Sequence, residues 1–338
     1  MSSPQTATRA QNSEARAGTR ERLLSRLRAA LASARPGQLV SVSAPIAGPR
    51  SAMPRIADIA WSNASSRVFA SGETAVLTSR GPNRFGDIQR QADSLYARLQ
   101  AGERVRLFGG FAFDGRPLGG TVWTDFAEAR FVLPRWQLSS GPRGTELTLT
   151  VEAGSAPPVS QLGSELDRWL VVDDGKLSSP VCMQGSAQAL AKPRAHEGHA
   201  FRQRVAAIIA AIASGPLQKV VTARRSDITL PTSVDVPAVM RRLEQLYPAC
   251  FRFVVTAGES LLLGAPPELL VRVTGRRVES EALAGSIATT AADAAGRLLA
   301  SDKDRAEHDL VVRELESQLA PVCSELEIPR EPEIRALR

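Results

Sequence analysis

Apolar residues follow a helical period in several stretches of the chain. Near the start, four leucines share one helical face ahead of the helix-stopping pair Pro36 and Gly37: Leu23, Leu24, Leu27 and Leu31. We therefore expect a disordered leader over residues 1–18 and then an amphipathic helix. The same period predicts helices in "DIQRQADSLYARLQAG", "FRQRVAAIIAAIASG", "PAVMRRLEQLYP" and "DKDRAEHDLVVRELESQLAPV".

Short apolar runs and alternating patterns predict strands between these helices. They occur in "LVSVSAPI", "VRLFGGFAFDG", "TELTLTVEAG", "LQKVVTARR", "CFRFVVTAG" and "SLLLGAPPE", with a hairpin in "LLVRVTGRRVES". Residues 174–198 are rich in Gly, Ser, Ala and Pro without a sustained period, which indicates a linker or surface connection. The pattern predicts an α/β (α+β) protein with a first part over residues 19–173 and a second over residues 199–338.

Composition narrows the class of protein. A chain of 338 residues with 43% hydrophobic content can bury a large core, and no apolar run is long enough for a membrane helix. The formal charge of +7 is concentrated in an arginine-rich opening, which also resembles an organellar transit peptide. No basic stripe interleaved with aromatics follows, so nucleic-acid binding is not expected. Cys182, Cys250 and Cys323 are widely spaced and odd in number, which suits buried free thiols in a reducing cytoplasm.

Two charged residues lie beside apolar runs. Lys219 precedes the β-branched pair of "KVVTAR", where it is either a surface lysine with a packed stem or a desolvated general base. Glu268 stands between "LLLGAPP" and "LLVRV". It either begins a strand at a solvent-facing turn or, if buried, stays protonated near neutral pH as a general acid must.

A small-residue segment and a third charged residue complete the candidates. "ALAGS", residues 282–286, is either a simple turn or a place where a ligand approaches the backbone closely. Ser301 and Asp304 have the spacing of a capping box at the start of the last helix. Glu307 lies one turn further in, on an apolar stripe, where it either complements the helix dipole or binds a hard cation such as Mg²⁺.

Four segments in order make the chain similar to the chorismate-binding enzymes over residues 199–338: "LQKVVTARR", "LLLGAPPELLVRV", "ALAGS" and "LLASDKDRAEHDLVV". "LFGGFAFDG" also resembles a segment of the family's N-terminal half. The family includes isochorismate synthase, salicylate synthase, the anthranilate synthase large subunit and aminodeoxychorismate synthase. Members that add ammonia have a glutamine at the position of Lys219, and aminodeoxychorismate synthase has a nucleophilic lysine at that of Ala284. The resemblance therefore favours water-adding members, above all isochorismate synthases, with salicylate synthase as the alternative.

The resemblance implies a sandwich of large, mostly antiparallel sheets with helices outside, and a reversible, Mg²⁺-dependent conversion of chorismate to isochorismate. It implies that Lys219 deprotonates the water that attacks C2 of chorismate, and that Glu268 protonates the departing C4 hydroxyl. Glu307 would help to hold Mg²⁺ on the ring carboxylate of the substrate. Four residues would line the pocket with their backbone, the last of them near the ring: Leu283, Ala284, Gly285 and Ser286. Chorismate is the expected partner of a cytoplasmic monomer that binds neither nucleic acid nor membrane.

The chain departs from the family pattern at several positions. Pro266 stands where a serine is usual, Ala306 replaces a common histidine, and "AGSIATT" lacks the arginine that often follows. The family also continues beyond "EIPREPEIRALR" with a histidine-leucine motif, a second metal-binding glutamate, an arginine for a substrate carboxylate and a glycine loop. We therefore expect a C-terminally incomplete fold. It is either part of a longer enzyme or a truncated, inactive chorismate-binding remnant.

Overall fold

The computed structural model describes residues 4–46, 53–54, 57–99, 105–114, 123–170, 195–225 and 234–337. The chain divides into two compact units. The first comprises Met1–Leu177 and Val236–Pro267, and the second comprises Ser178–Asp235 and Glu268–Arg338. The part of the predicted linker at residues 174–194 lies outside the described residues, and residues 195–198 already belong to a helix.

The regular elements are numbered here in chain order. The helices are α1 (Pro4–Ser33), α2 (Arg84–Tyr96), α3 (Val159–Leu170), α4 (Ala195–Ser214), α5 (Val236–Leu246), α6 (Ala294–Leu299) and α7 (Asp302–Leu319). The strands are β1 (Leu39–Ile46), β2 (Ile59–Ser62), β3 (Arg67–Ser79), β4 (Phe108–Phe111), β5 (Ala129–Gly141), β6 (Gly144–Glu152), β7 (Arg252–Ala257), β8 (Ser260–Gly264), β9 (Arg272–Thr274) and β10 (Arg277–Glu279).

One eight-stranded sheet organises the first unit. Its order is β1-β6-β5-β3-β2-β7-β8, with β4 also paired to β5, and every pair is antiparallel. This confirms the predicted α/β class with a large antiparallel sheet. Because β7 pairs with β2, residues 236–267 belong to the first unit, which the prediction of a continuous second domain over residues 199–338 did not anticipate.

Helices pack on both faces of this sheet. Successive strand residues point to opposite faces, and accordingly Val40 joins a core cluster with Leu27 of α1, whereas the adjacent Leu39 joins a cluster with Ile88 and Leu95 of α2. The α3 helix contributes Trp169 to the first cluster. Both faces of β1 are therefore covered, since Leu39 and Val40 are both buried, and the sheet divides the core into two layers.

The first helix is longer than expected. The predicted apolar face is confirmed, since Leu23 and Leu27 are fully buried. However, α1 begins at Pro4, so the leader that we expected to be disordered over residues 1–18 is helical from that residue onward. The physical reason is the abundance of alanine, arginine and glutamine in this stretch, which all have high helix propensity.

The cysteines follow the prediction in part. Cys250 is a buried free thiol in the first unit, as expected, but Cys323 of the second unit is only partly buried. The short segment after α7 that carries Cys323 has no regular structure, so the thiol is not enclosed there. Cys182 lies outside the described residues.

The second unit contains α4, the β9–β10 hairpin, α6 and α7, and none of its described residues is fully buried. The predicted face of α4 is confirmed as its least exposed side: Phe201, Val205, Ile208 and Ile212. The predicted strand in "LQKVVTARR" is wrong for the described residues 217–225, which have no regular secondary structure. A strand requires a partner for its backbone groups, and no described strand pairs with this segment.

Candidate active site

An ion pair joins two of the predicted site residues. Nζ of Lys219 lies 3.3 Å from Oε1 of Glu307, and both side chains are only about a third exposed, at 29% and 34%. Lys219 lies in the irregular segment after α4, whereas Glu307 lies in the second turn of α7. The structure therefore brings together, within the second unit, the residues predicted to be the general base and a metal ligand.

A second lysine contacts the same carboxylate. Nζ of Lys303 lies 3.6 Å from Oε2 of Glu307, one helical turn away, and 3.3 Å from Oδ1 of Asp304. A hydrogen bond to Asp304 and the charges of Asp304 and Glu307 raise the pKa of Lys303. The two oxygens of Glu307 thus each face an ammonium group.

The start of α7 is fixed by the predicted cap. Ser301 is the N-cap, and its Oγ accepts a hydrogen bond from the Asp304 backbone N–H at 3.3 Å. The serine hydroxyl, together with the Lys303 ammonium, also lowers the pKa of Asp304. Asp302 and Asp304 occupy the first turn, where the helix dipole favours negative charge. The cap therefore sets where α7 begins and, one turn later, where Glu307 lies.

The "ALAGS" segment approaches the same helix end. Gly285 has a φ of +75°, and a Cβ on it would lie 3.0 Å from Cβ of Asp304. Only glycine adopts this conformation readily, and only glycine leaves room for the aspartate. Leu283 and Ala284 are partly buried, while Gly285 and Ser286 are exposed. The predicted pocket-lining backbone therefore lies against the turn of α7 that precedes Glu307.

Glu268 is held apart from this group. It is exposed, so the structure places it at a solvent-facing position and not in a buried one. Within the described residues, no hydrogen bond or ion pair links Glu268 to Lys219 or Glu307. The next residue, Leu269, donates its backbone N–H to Oε2 of Glu281 at 3.1 Å. That bond ties the Glu268 segment to the residue just before "ALAGS".

The described residues do not by themselves fit a magnesium ion. No three metal-binding side chains come together in the part of the chain that the structure describes. Mg²⁺ needs oxygen ligands in octahedral geometry, and both oxygens of Glu307 face lysine ammonium groups. A divalent cation at Glu307 would have to displace both ammonium groups, because like charges repel at this distance.

The candidate site thus combines the amine of Lys219, the carboxylate of Glu307 that holds it, and the backbone of residues 283–286, which a ligand could approach closely. Sequence reasoning singled out Lys219, Glu307 and Gly285 but missed Lys303 and Glu281. A Lys-Glu pair four residues apart on a predicted helix is a signal that could have identified Lys303. If the strand pairing of the predicted hairpin is extended away from its turn, Glu281 falls opposite the segment that follows Glu268, which is a signal that could have identified it.

Solved structures show the same fold. The menaquinone-specific isochorismate synthase MenF of Escherichia coli superposes with a TM-score of 0.66 at 21% identity, over 94% of this chain and 72% of that chain. A second match is the crystal structure of a putative 2,3-dihydroxybenzoate-specific isochorismate synthase, DhbC, from Bacillus anthracis. It has a TM-score of 0.55 at 20% identity and covers 83% of this chain and 64% of that chain.

The sequence comparisons define the family. The model of the family described as "Chorismate binding enzyme" matches residues 37–338, so the chain belongs to that family. It is 39% identical to the isochorismate synthase EntC of Escherichia coli K12 over 140 residues, which cover 40% of this chain and 36% of that protein. It is 28% identical over 285 residues to the salicylate biosynthesis isochorismate synthase of Pseudomonas aeruginosa, covering 82% of this chain and 59% of that protein. The matched segments thus span between about a third and three fifths of these curated relatives.

Across the residues that the structure describes, none of the helices has the length and hydropathy that a membrane span requires.

Proposed function

We propose that this protein converts chorismate reversibly to isochorismate. The observation that carries the proposal is the pairing of Lys219 with Glu307 on the helix whose first turn, at Asp304, contacts Gly285, in a chain of the chorismate binding enzyme family. The names of the relatives, which include several isochorismate synthases, favour this member of the family over those that add ammonia.

The proposed reaction is an exchange of hydroxyl positions. Lys219 removes a proton from a water molecule, and the resulting hydroxide attacks C2 of chorismate. The ring double bonds shift, and the C4 hydroxyl leaves as water after Glu268 donates a proton to it. One water enters and one leaves, so substrate and product have the same composition. A base and an acid on the entering and departing oxygens each contribute roughly 10²- to 10⁴-fold in reactions of this kind.

Two features support these assignments. The ion pair with Glu307 holds Nζ of Lys219 in a defined position, and its 29% exposure leaves it within reach of solvent water. Only the neutral amine can take a proton from water, so in the proposed reaction the ammonium first loses its proton to solvent. Glu268 is exposed, so its carboxyl group is accessible to a substrate that lies against the adjoining backbone. The bound substrate would then supply the burial that a general acid needs. A substrate bound beside residues 283–286 would present C2 to the water held by Lys219 and its C4 hydroxyl to Glu268.

A magnesium requirement is also proposed, on the resemblance alone. When bound, Mg²⁺ would neutralise carboxylate charge on the substrate. Because both oxygens of Glu307 face lysines in the structure, no step is assigned to the ion.

The experiment is a product assay with the full chain, chorismate and Mg²⁺, followed by chromatography and mass spectrometry. Isochorismate is the expected product, and Glu268→Gln is expected to reduce its formation strongly. Accumulation of salicylate and pyruvate would instead support the salicylate synthase alternative. No product under any magnesium concentration would support an inactive chorismate-binding protein.

A further inference from the structure

The carboxylate of Glu281 joins three separate parts of the second unit. Its Oε2 accepts a hydrogen bond from the Leu269 backbone N–H at 3.1 Å and another from Nη1 of Arg335 at 2.7 Å. The neighbouring Ser280 donates its hydroxyl to the Leu270 carbonyl at 2.7 Å. The segment that follows Glu268 is therefore bound twice to the segment that leads into "ALAGS".

These contacts begin where the backbone ladder of the hairpin ends. The last backbone pair of β9 and β10 is Arg272 with Glu279. Beyond it, the strands would need further N–H to C=O bonds to stay together. The Ser280 and Glu281 side chains supply a donor and an acceptor for these backbone groups instead.

The bond to Leu269 acts directly on the position of Glu268. The Leu269 N–H belongs to the peptide unit that begins at the Glu268 carbonyl, and a peptide unit is planar and rigid. Fixing that N–H therefore restrains the Glu268 backbone, even though the side chain is exposed. The acceptor is a carboxylate, and charge-assisted hydrogen bonds are about twice as strong as neutral ones.

We propose that Glu281 is a positioning residue that holds the Glu268 segment at a fixed distance from the backbone of Leu283 to Ser286. The proposal rests on the proposed function, in which Glu268 is the acid and the 283–286 backbone binds the substrate. Arg335 is the counter-ion that keeps the Glu281 carboxylate in place. Without this link, Glu268 would move relative to the departing hydroxyl, and displacements of about 1 Å can cost roughly 100-fold in rate.

The test compares three variants of the full chain. Glu281→Ala removes the acceptor, whereas Glu281→Gln keeps an amide oxygen that can still accept the Leu269 N–H. Glu279→Ala is the matched control, because Glu279 is also a paired carboxylate of the hairpin, with Arg272 and Arg277, but has no bond to residues 268–270.

Two measurements are made on each variant. We expect Glu281→Ala to lower kcat for chorismate by roughly 10- to 100-fold while KM changes little, and Glu281→Gln to recover most of the loss. Glu279→Ala should retain nearly full kcat. Hydrogen exchange of the Leu269 amide should become at least about tenfold faster in Glu281→Ala and stay slow in Glu281→Gln and Glu279→Ala.

The proposal is overturned if the Leu269 amide remains protected in Glu281→Ala. It is also overturned if Glu279→Ala and Glu281→Ala lose kcat equally, since that would show a general loss of hairpin structure. A wild-type chain that does not turn over chorismate would defeat the proposed function and the catalytic part of this inference. The exchange measurement would still decide whether Glu281 holds the Leu269 amide.

Discussion

Nζ of Lys219 lies 3.3 Å from Oε1 of Glu307, although the two residues come from the two separate chain segments that form the second unit. The pair places a positive amine against a helix turn whose start is fixed by the Ser301 cap. A lysine in an exposed, irregular segment would otherwise sample many rotamers. The contact therefore gives the candidate base a defined position without burying it.

The first prediction concerns that amine. Lys219→Ala should lower turnover of chorismate by roughly 10²- to 10⁴-fold, because the general base is lost. Lys303→Ala is the matched control: this lysine contacts the other oxygen of the same carboxylate but is 81% exposed. The control should keep turnover within about threefold of the wild type, since exposed ion pairs contribute little. Equal losses in initial-rate assays of the two variants would contradict the role of Lys219.

The second prediction separates two effects at Gly285 of "ALAGS": the conformational cost of its positive φ and its steric contact with Asp304. Gly285 and Gly275 both have a positive φ, but a Cβ on Gly285 would lie 3.0 Å from Asp304, whereas a Cβ on Gly275 would meet no atom within 4 Å. Each change to alanine should cost about 1–2 kcal/mol of conformational energy. Gly285→Ala should in addition displace Asp304 and lower turnover, whereas Gly275→Ala should leave turnover nearly unchanged. Thermal unfolding and initial rates measure the two effects, and a full rate in Gly285→Ala would refute the prediction.

The third prediction concerns magnesium. Treatment with EDTA should abolish turnover and added Mg²⁺ should restore it. In the role that the resemblance implies for Glu307, Mg²⁺ displaces the two lysine ammonium groups from its carboxylate. Glu307→Gln should then weaken Mg²⁺ binding in calorimetry by at least about tenfold, since it removes the charged oxygen ligand. Glu314→Gln, on the same helix but exposed, should bind the ion like the wild type. If Glu307→Gln binds Mg²⁺ as tightly as the wild type, the carboxylate serves only as the partner of the lysines.

The fourth prediction is a pH dependence of stability in the first unit. Oε2 of Glu165 accepts a hydrogen bond from the Trp136 indole at 2.7 Å. Burial alone would raise the pKa of Glu165, but hydrogen bonds from Trp136 and Gln161 and the charge of Arg135 lower it below its ordinary value of 4.5. The charged form therefore stabilises the fold above that pH, and the contribution is lost as the pH falls through the lowered folded-state pKa.

Glu165→Gln should accordingly reduce the free energy of unfolding at neutral pH by roughly 1–3 kcal/mol. The difference from the wild type should shrink as the pH falls from 4.5 through the lowered folded-state pKa of Glu165, below which both chains carry a neutral side chain. Urea unfolding of the wild type, Glu165→Gln and the exposed control Glu146→Gln measures this. A difference that persists unchanged at low pH would mean that charge is not its cause.

Local patterns in the sequence predicted much of the fold. Four predicted features depend on neighbouring residues, and all are present: the leucine face of α1, the strand β1, the β9–β10 hairpin and the Ser301 cap. The pairing of β7 with β2 could not be predicted, because it depends on contacts between residues far apart in the chain. The strand prediction for "LQKVVTARR" failed for the same reason. The segment has the composition of a strand, but composition does not supply a strand partner.

The candidate site was likewise predicted only in part. The residue types at Lys219, Gly285 and Glu307 stood out from the sequence, and the structure brings them to one end of α7. Their mutual arrangement did not follow from the sequence: a carboxylate expected to bind a cation is paired with two lysines. Glu281 went unnoticed because its role depends on a contact beyond the end of the hairpin ladder.

The central claim is that water adds at C2 of chorismate with Lys219 as the base. The most direct measurement is turnover in H₂¹⁸O, followed by mass spectrometry of the isolated product with fragmentation to locate the label. We predict isochorismate that carries one ¹⁸O in its C2 hydroxyl, formed by the wild type and almost absent with Lys219→Ala. Isochorismate without ¹⁸O at C2, or equal labelled product from Lys219→Ala, would contradict it.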